Sequence, residues 1–339
     1  MRVLVTGGAG YIGSHACKAL AAAGHEPIVF DNLSTGNRWA VRWGPLVEAD
    51  LANTGSIQAT LAEYRPRAVM HFAASAYVGE SAAEPRKYFR NNVVNTLNLL
   101  DSMIDRGVRM FLFSSTCATY GNPSVIPILE SHPQWPVNPY GESKLFIERV
   151  LKWYQSAYGL RPLTLRYFNA AGADMDGEIG EEHEPETHLI PLAIRAALGR
   201  GKPLNIFGKD YPTPDGTCIR DYIHVQDLAD AHVKALQLLD ASGVTAPTAC
   251  NLGTGQGYSV LEVVRAVEDV CGARVHLGFS ARRAGDPPIL IAGTDGARSL
   301  GWQPRLSTLT KIIESSWRWF AKRSPAGGAV AAGPSTTLI

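Results

Sequence analysis

Thr6-Gly7-Gly8-Ala9-Gly10-Tyr11-Ile12-Gly13 stands directly after the apolar run Val3-Leu4-Val5 and opens a helical pattern that reaches Ala23. No other feature of this chain limits its fold so tightly. Three glycines at that spacing, between a strand and a helix, make a dinucleotide-binding turn. Gly7 permits the tight turn, Gly10 lets backbone approach a pyrophosphate, and Gly13 allows close helix–strand packing. The helix N-terminus adds N–H donors and a partial positive charge for phosphate. The competing reading, a mere glycine turn, leaves the strand–turn–helix context unexplained.

The next apolar runs are Ile28-Val29-Phe30, Leu46-Val47, Ala68-Val69-Met70, Met110-Phe111-Leu112-Phe113 and Leu163-Thr164-Leu165. Runs apolar on both faces and separated by helical patterns predict a parallel sheet covered on both sides. The fold class is therefore α/β, a Rossmann-type doubly wound parallel sheet. After Asn169 the pattern changes. Ala170 to Thr187 is rich in Gly, Asp and Glu and reads as a loop, and irregular pieces follow to about Phe320. This divides the chain into a dinucleotide-binding domain over 1–169, a substrate-binding lobe over 170–323 and a disordered tail over 324–339. The two lobes are expected to form one compact unit, with ligand beyond the carboxyl ends of the strands.

Charge narrows the partners. The formal net charge is +1, from 32 basic and 31 acidic residues. No long-range field would recruit nucleic acid or an anionic membrane. A bound anion must be caught by helix N-termini and a few arginines. Cys17, Cys117, Cys218, Cys250 and Cys271 are scattered, odd in number and without metal-ligand spacing, so a reduced, cytoplasmic setting and no metal are expected. No apolar leader and no spanning-length apolar run is found.

Asp31 ends the second strand, where an acid would accept from the adenosine ribose hydroxyls and repel a 2′-phosphate. That favours NAD over NADP; a turn aspartate in Asp31-Asn32 is the plainer alternative. Phe72-Ala73-Ala74 follow the fourth strand and leave room for a cofactor. Asp50-Leu51 end the third strand, where adenine is expected. Tyr140 and Lys144 follow Asn138-Pro139, a helix start, and lie four apart on one helix face. Free tyrosine titrates near about 10 and is a poor base at neutral pH. A nearby ammonium and an oxidised nicotinamide would both favour its phenolate. On pattern alone the alternative is a capped helix with a surface lysine.

Beside these stand Ser114-Ser115-Thr116, Arg166-Tyr167-Phe168-Asn169, Arg220-Asp221-Tyr222-Ile223-His224-Val225 and Arg283-Ala284-Gly285-Asp286. In this order, from about Met1 to Phe320, the series resembles the UDP-glucose 4-epimerases of the extended short-chain dehydrogenase/reductases. The resemblance implies a homodimeric isomerase that inverts C4 of a UDP-sugar by lending a hydride to bound NAD. Tyr140 would act as base, Thr116 would bind the 4-oxygen, and Lys144 would hold the nicotinamide ribose and tune Tyr140. The implied cofactor shell adds Tyr11, Ile12, Asn32, Ser34, Asn92, Ser114 and Phe168 to the residues above. The implied UDP-sugar shell is Asn169, His188, Leu189, Arg220, Tyr222, Arg283, Asp286 and Leu290, with Thr116 and Tyr140. Taken singly, either arginine reads as a solvated surface charge.

Two positions depart from the pattern. Ala76 stands where many relatives have a cofactor-contacting lysine, and His188 replaces a common asparagine near the diphosphate. Leu290 takes the place of a bulky pocket residue, which implies tolerance of N-acetylated sugars; a core-facing leucine is the alternative. UDP-glucose/UDP-galactose is the leading pair and UDP-xylose/UDP-arabinose its rival. A 4,6-dehydratase would need a carboxylate after Thr116, where Cys117-Ala118 stand. A non-catalytic NAD-binding regulator need not keep Thr116, Tyr140 and Lys144 together. The broad apolar faces around Val93, Val94, Leu97, Leu100, Met103 and Ile104, and around Leu145, Phe146, Val150, Leu151 and Trp153, suit either a paired-helix dimer or two core-packed helices.

Overall fold

Alternation within each strand builds two cores at once. Val3 and Val5 face one layer of buried residues while Leu4 faces the other, and Val29 is divided from Ile28 and Phe30 in the same way. The structure, a computed structural model, describes residues 1–200, 202–241, 247–283 and 285–323. The tail expected to be disordered, 324–339, lies outside the described residues.

The first half runs β1 Arg2–Thr6, α1 Tyr11–Ala22, β2 Glu26–Asp31, β3 Leu46–Glu48, α2 Thr54–Tyr64 and β4 Ala68–His71. Short helices α3 Val78–Ala83 and α4 Pro85–Tyr88 lead through a π-helical turn, Phe89–Val94, into α5 Asn95–Asp105. Then come β5 Met110–Thr116, α6 Pro139–Tyr158 and β6 Arg161–Tyr167. The rest comprises β7 Asn169–Ala171, α7 Leu189–Ala197, β8 Leu204–Phe207, β9 Ile219–His224, α8 Val225–Asp240, β10 Ala249–Leu252 and β11 Gly257–Ser259. It closes with α9 Val260–Cys271, β12 Leu277–Ser280, β13 Ile289–Leu290, α10 Asp295–Ser299 and α11 Leu309–Lys322.

The central sheet has seven strands in the order β10-β6-β5-β4-β1-β2-β3, every pair parallel. That is the doubly wound order, with its switch point between β1 and β4. Cys17 and Leu20 of α1 pack with Leu228, Ala231 and Leu236 of α8 on one face. Ile57, Leu99, Met103, Ile147 and Leu151 from α2, α5 and α6 cover the other. Each fully buried aliphatic side chain contributes about 1.5–3 kcal/mol. Residues from both sides of the expected boundary at Asn169 enter this sheet, because β10 pairs with β6. The second lobe is smaller. There β9 lies between β11 and β13 and also pairs with β7, while α7, α9 and α11 share a core of Ile190, Ile194, Val263, Val267, Ile312 and Ile313. The stretch expected to be only a loop after Asn169 therefore begins as strand β7.

Candidate active site

The glycine turn is shaped by what it cannot hold. Gly7 has φ +74, and a Cβ there would lie 2.5 Å from Ala73 N. A Cβ at Gly13 would lie 2.1 Å from Gly7 O. The turn after β1 is thus packed against the Phe72-Ala73-Ala74 loop after β4, at the switch point. Asp31 Oδ2 accepts from Ala9 N at 3.0 Å and Oδ1 from Leu33 N at 2.8 Å. Burial pushes its pKa up against these two N–H donors. Each oxygen keeps lone-pair capacity for a ribose hydroxyl. Asn32 donates to Asp50 Oδ2 at 2.6 Å, and Asn32 Oδ1 accepts from Ser34 N at 3.0 Å.

Four members of the expected cofactor shell have side chains that also make contacts within the protein. The Tyr11 hydroxyl donates to Gly172 O at 2.6 Å, which ties α1 to the second lobe. Ile12 packs on the core beneath the sheet. Leu51 is buried among Ile28, Phe30 and Ile57, because the chain turns inward after β3. Asn92 donates to Ser75 O at 2.9 Å and Ser143 Oγ at 3.0 Å and accepts from Ser75 N at 2.8 Å, so both ends of its amide shape the loop after β4.

The catalytic candidates meet at the carboxyl end of β5. Asn138 caps α6 by accepting from Gly141 N at 2.8 Å, and Pro139 fills the first helical position. Tyr140 follows in the first turn, with Thr116 close enough to pull against the rise of its pKa. Thr116 Oγ1 accepts from Ala118 N at 3.1 Å. One turn further, Lys144 Nζ donates to Ser114 O at 2.8 Å and stands 4.9 Å from the Phe113 ring centre. Burial lowers the lysine to about 7, against the pull of Glu148. Burial raises the Tyr140 phenol above its ordinary value, with Tyr167 adding to the rise and Thr116 opposing it. The lowered tyrosine pKa expected from sequence is therefore not supplied by the chain's own groups.

On the substrate side, Arg220 is ion-paired with Asp286 and donates to Ile219 O at 2.9 Å. Tyr222 projects from the same side of β9, whereas Asp221 points the other way and binds Thr254 N, Gly255 N and Ala292 N. Asn169 pairs in register with Tyr222, and Leu189 opens α7. Arg283 lies over the Phe207 ring at 4.0 Å. His188 Nδ1 is held by Glu181 at 2.7 Å and Glu186 at 2.9 Å. Burial opposes its charge, but the two carboxylates win and raise it to about 10. Its imidazole is therefore engaged within its own loop. Leu290, 7% exposed, is buried with Cys117, Tyr120, Ile128, Phe168 and Ala292. These are the surroundings expected of a core-facing leucine.

The model of the NAD dependent epimerase/dehydratase family matches residues 3–253. UDP-glucose 4-epimerase of Rhizobium meliloti strain 1021 is 52% identical over 326 residues, covering 96% of this chain and 98% of that protein. The chain belongs to this family. Among solved structures, the Brucella ovis UDP-glucose 4-epimerase in complex with NAD has a TM-score of 0.91 at 53% identity, covering 94% of this chain and 98% of that one. The UDP-Glc/GlcNAc 4-epimerase of Campylobacter jejuni has a TM-score of 0.81 at 42% identity, covering 95% and 99%.

For an NAD-dependent epimerase/dehydratase the cradle is the right one. The close-packed glycines leave backbone, not side chains, facing the pyrophosphate position, and Asp31 stands at the strand end beside it. The support beneath the catalytic candidates was not anticipated from the sequence. Glu148 lies four residues beyond Lys144 on α6 and binds Arg166 and Ser115 Oγ, the latter at 2.5 Å. Arg166 donates on to the Tyr120 hydroxyl at 2.8 Å, which donates to Asn251 of β10 at 2.7 Å. The signal was present in Tyr140, Lys144 and Glu148, a polar stripe at helical spacing on a buried face.

Proposed function

We propose that this chain is a UDP-glucose 4-epimerase, interconverting UDP-glucose and UDP-galactose through a 4-keto sugar. The observation that carries this reading is the meeting of Thr116, Tyr140 and Lys144 at the carboxyl end of β5, with the Arg220–Asp286 pair near enough for Arg220 to act on the adjoining Cys117. Tyr140 takes the proton from the sugar 4-hydroxyl, and Thr116 holds the same oxygen. Lys144, fixed by Ser114 O, faces the cofactor ribose. Bound NAD supplies a reversible acceptor for the C4 hydride and a positive charge that favours the Tyr140 phenolate. Arg220 and Arg283 take the diphosphate, since guanidinium suits phosphate oxygens. Glu148 and Arg166 hold β5, β6 and α6 in register without touching substrate.

Two finer points belong to this reading. Exposed apolar residues on α6 and on the π-helical turn before α5 support a homodimer built across those elements. The free cysteines suit a reducing, cytoplasmic compartment. The experiment is to supply UDP-galactose with no external reductant. The expected result is UDP-glucose at equilibrium with no net change in nicotinamide redox state. A demand for added reductant, or release of a 4-keto product, would overturn the reading.

A further inference from the structure

Glu181, His183, Glu186 and His188 lie within one loop, and a ligating atom from each falls within 4.8 Å of all the others. His188 Nδ1 is 2.7 Å from Glu181 Oε1 and 2.9 Å from Glu186 Oε1. His183 Nδ1 is 3.3 Å from Glu181 Oε1 and 3.8 Å from Glu186 Oε2. Ligands about 2.0–2.2 Å from a tetrahedral zinc stand about 3.3–3.5 Å apart, and these four distances bracket that edge. The set is two imidazoles and two carboxylates, which suits zinc-class dications better than magnesium or calcium. Two carboxylates also balance the charge of a dication.

A second observation points the same way. The Glu186 side chain is 1% exposed, yet its Oε2 has no hydrogen-bond partner among the described residues. His183 Nδ1, facing it, is also buried without one. A buried carboxylate oxygen left unpaired is costly, and a cation would satisfy it. A neighbouring acidic cluster differs in having a lysine at its centre. Asp174, Asp176 and Glu178 also converge, but Lys18 Nζ already stands among them at 2.9, 2.9 and 2.8 Å. That cluster is filled by the protein's own cation.

We propose that Glu181, His183, Glu186 and His188 form a closed site for one zinc-class dication. Bound there, the metal ties the loop between β7 and α7 into a single shape. Tyr11 and Tyr77 pack edge-on against His183, so that shape is pressed onto the cofactor half. The ligands include neither Thr116, Tyr140 nor Lys144, while His188 is shared with the expected UDP-sugar shell.

The test begins with the full chain stripped by a chelator and titrated with zinc chloride in a calorimeter. One equivalent per chain is expected, with a rise in the melting temperature on loading. Cobalt(II) in place of zinc should give the visible bands of a tetrahedral nitrogen–oxygen ligand set. His183→Gln and Glu186→Gln should each lose stoichiometric zinc binding while keeping the far-ultraviolet dichroism of the parent. Asp176→Asn should keep it. The proposal is overturned if the parent binds no stoichiometric zinc, or if both glutamine variants bind it as the parent does. A cobalt spectrum showing octahedral or thiolate ligation overturns it without recourse to any variant.

Discussion

At Tyr140 two influences oppose each other. Burial favours the neutral phenol, while the proposed role as base needs the phenolate. Tyr140→Phe keeps the ring in place and removes only the oxygen. Turnover on UDP-galactose should fall about 10²–10⁴-fold, with UDP binding retained; near-normal turnover would remove Tyr140 from the base role. Lys144 presents a stability problem instead. It is 4% exposed, with Ser114 O as a partner, and burial lowers it to about 7. Below that pH the lysine is charged in both folded and unfolded chains, and the full desolvation cost weighs on the fold. Between about 7 and its ordinary value near about 10.4, the unfolded chain binds more protons, so stability should rise with pH. Lys144→Met removes this cost. We expect the cofactor-stripped variant to melt no lower than the parent at mildly acid pH, with a flatter stability–pH curve, and to lose turnover. A clearly lower melting temperature at acid pH would show that the ammonium stabilises the fold.

Elements bring these residues together through their ends. The turn between β1 and α1 works only if α1 begins against it, and Gly13 is the point of closest approach. Gly13→Ala would place a methyl 2.1 Å from Gly7 O, so the helix start must move away. The variant should fold but lose copurifying NAD, measured as nucleotide released on denaturation. Gly79→Ala is the matched control, since no atom lies within 4 Å of its added carbon. Equal nucleotide content in the two variants would mean that the turn tolerates displacement. Elsewhere, α6 sets Tyr140, Lys144 and Glu148 on one buried stripe because its start is fixed by the Asn138 cap and Pro139.

For the whole molecule, one face stands out. Phe89 is 41% exposed, Val94 50%, Phe146 47% and Trp153 74%, all on α6 or the π-helical turn packed beside it. Large apolar side chains exposed on neighbouring helical elements suit an interaction site, and paired helices suit an isologous pair. Light scattering should show a dimer for the parent and a monomer for the double variant Phe146→Glu, Trp153→Glu. A monomeric parent would leave that face without the proposed partner. The glycine turn, the parallel strands and the Tyr140–Lys144 spacing were all legible in the sequence, because each is a local pattern set by backbone geometry within one or two turns of chain. The partners of those residues were not. Arg166 finds Glu148 and Tyr120, and Tyr120 finds Asn251 across 131 residues. Leu290 enters a core with Cys117, and His188 pairs with Glu181. Burial and pairing of this kind depend on which distant elements pack together, and only the tertiary structure decides that.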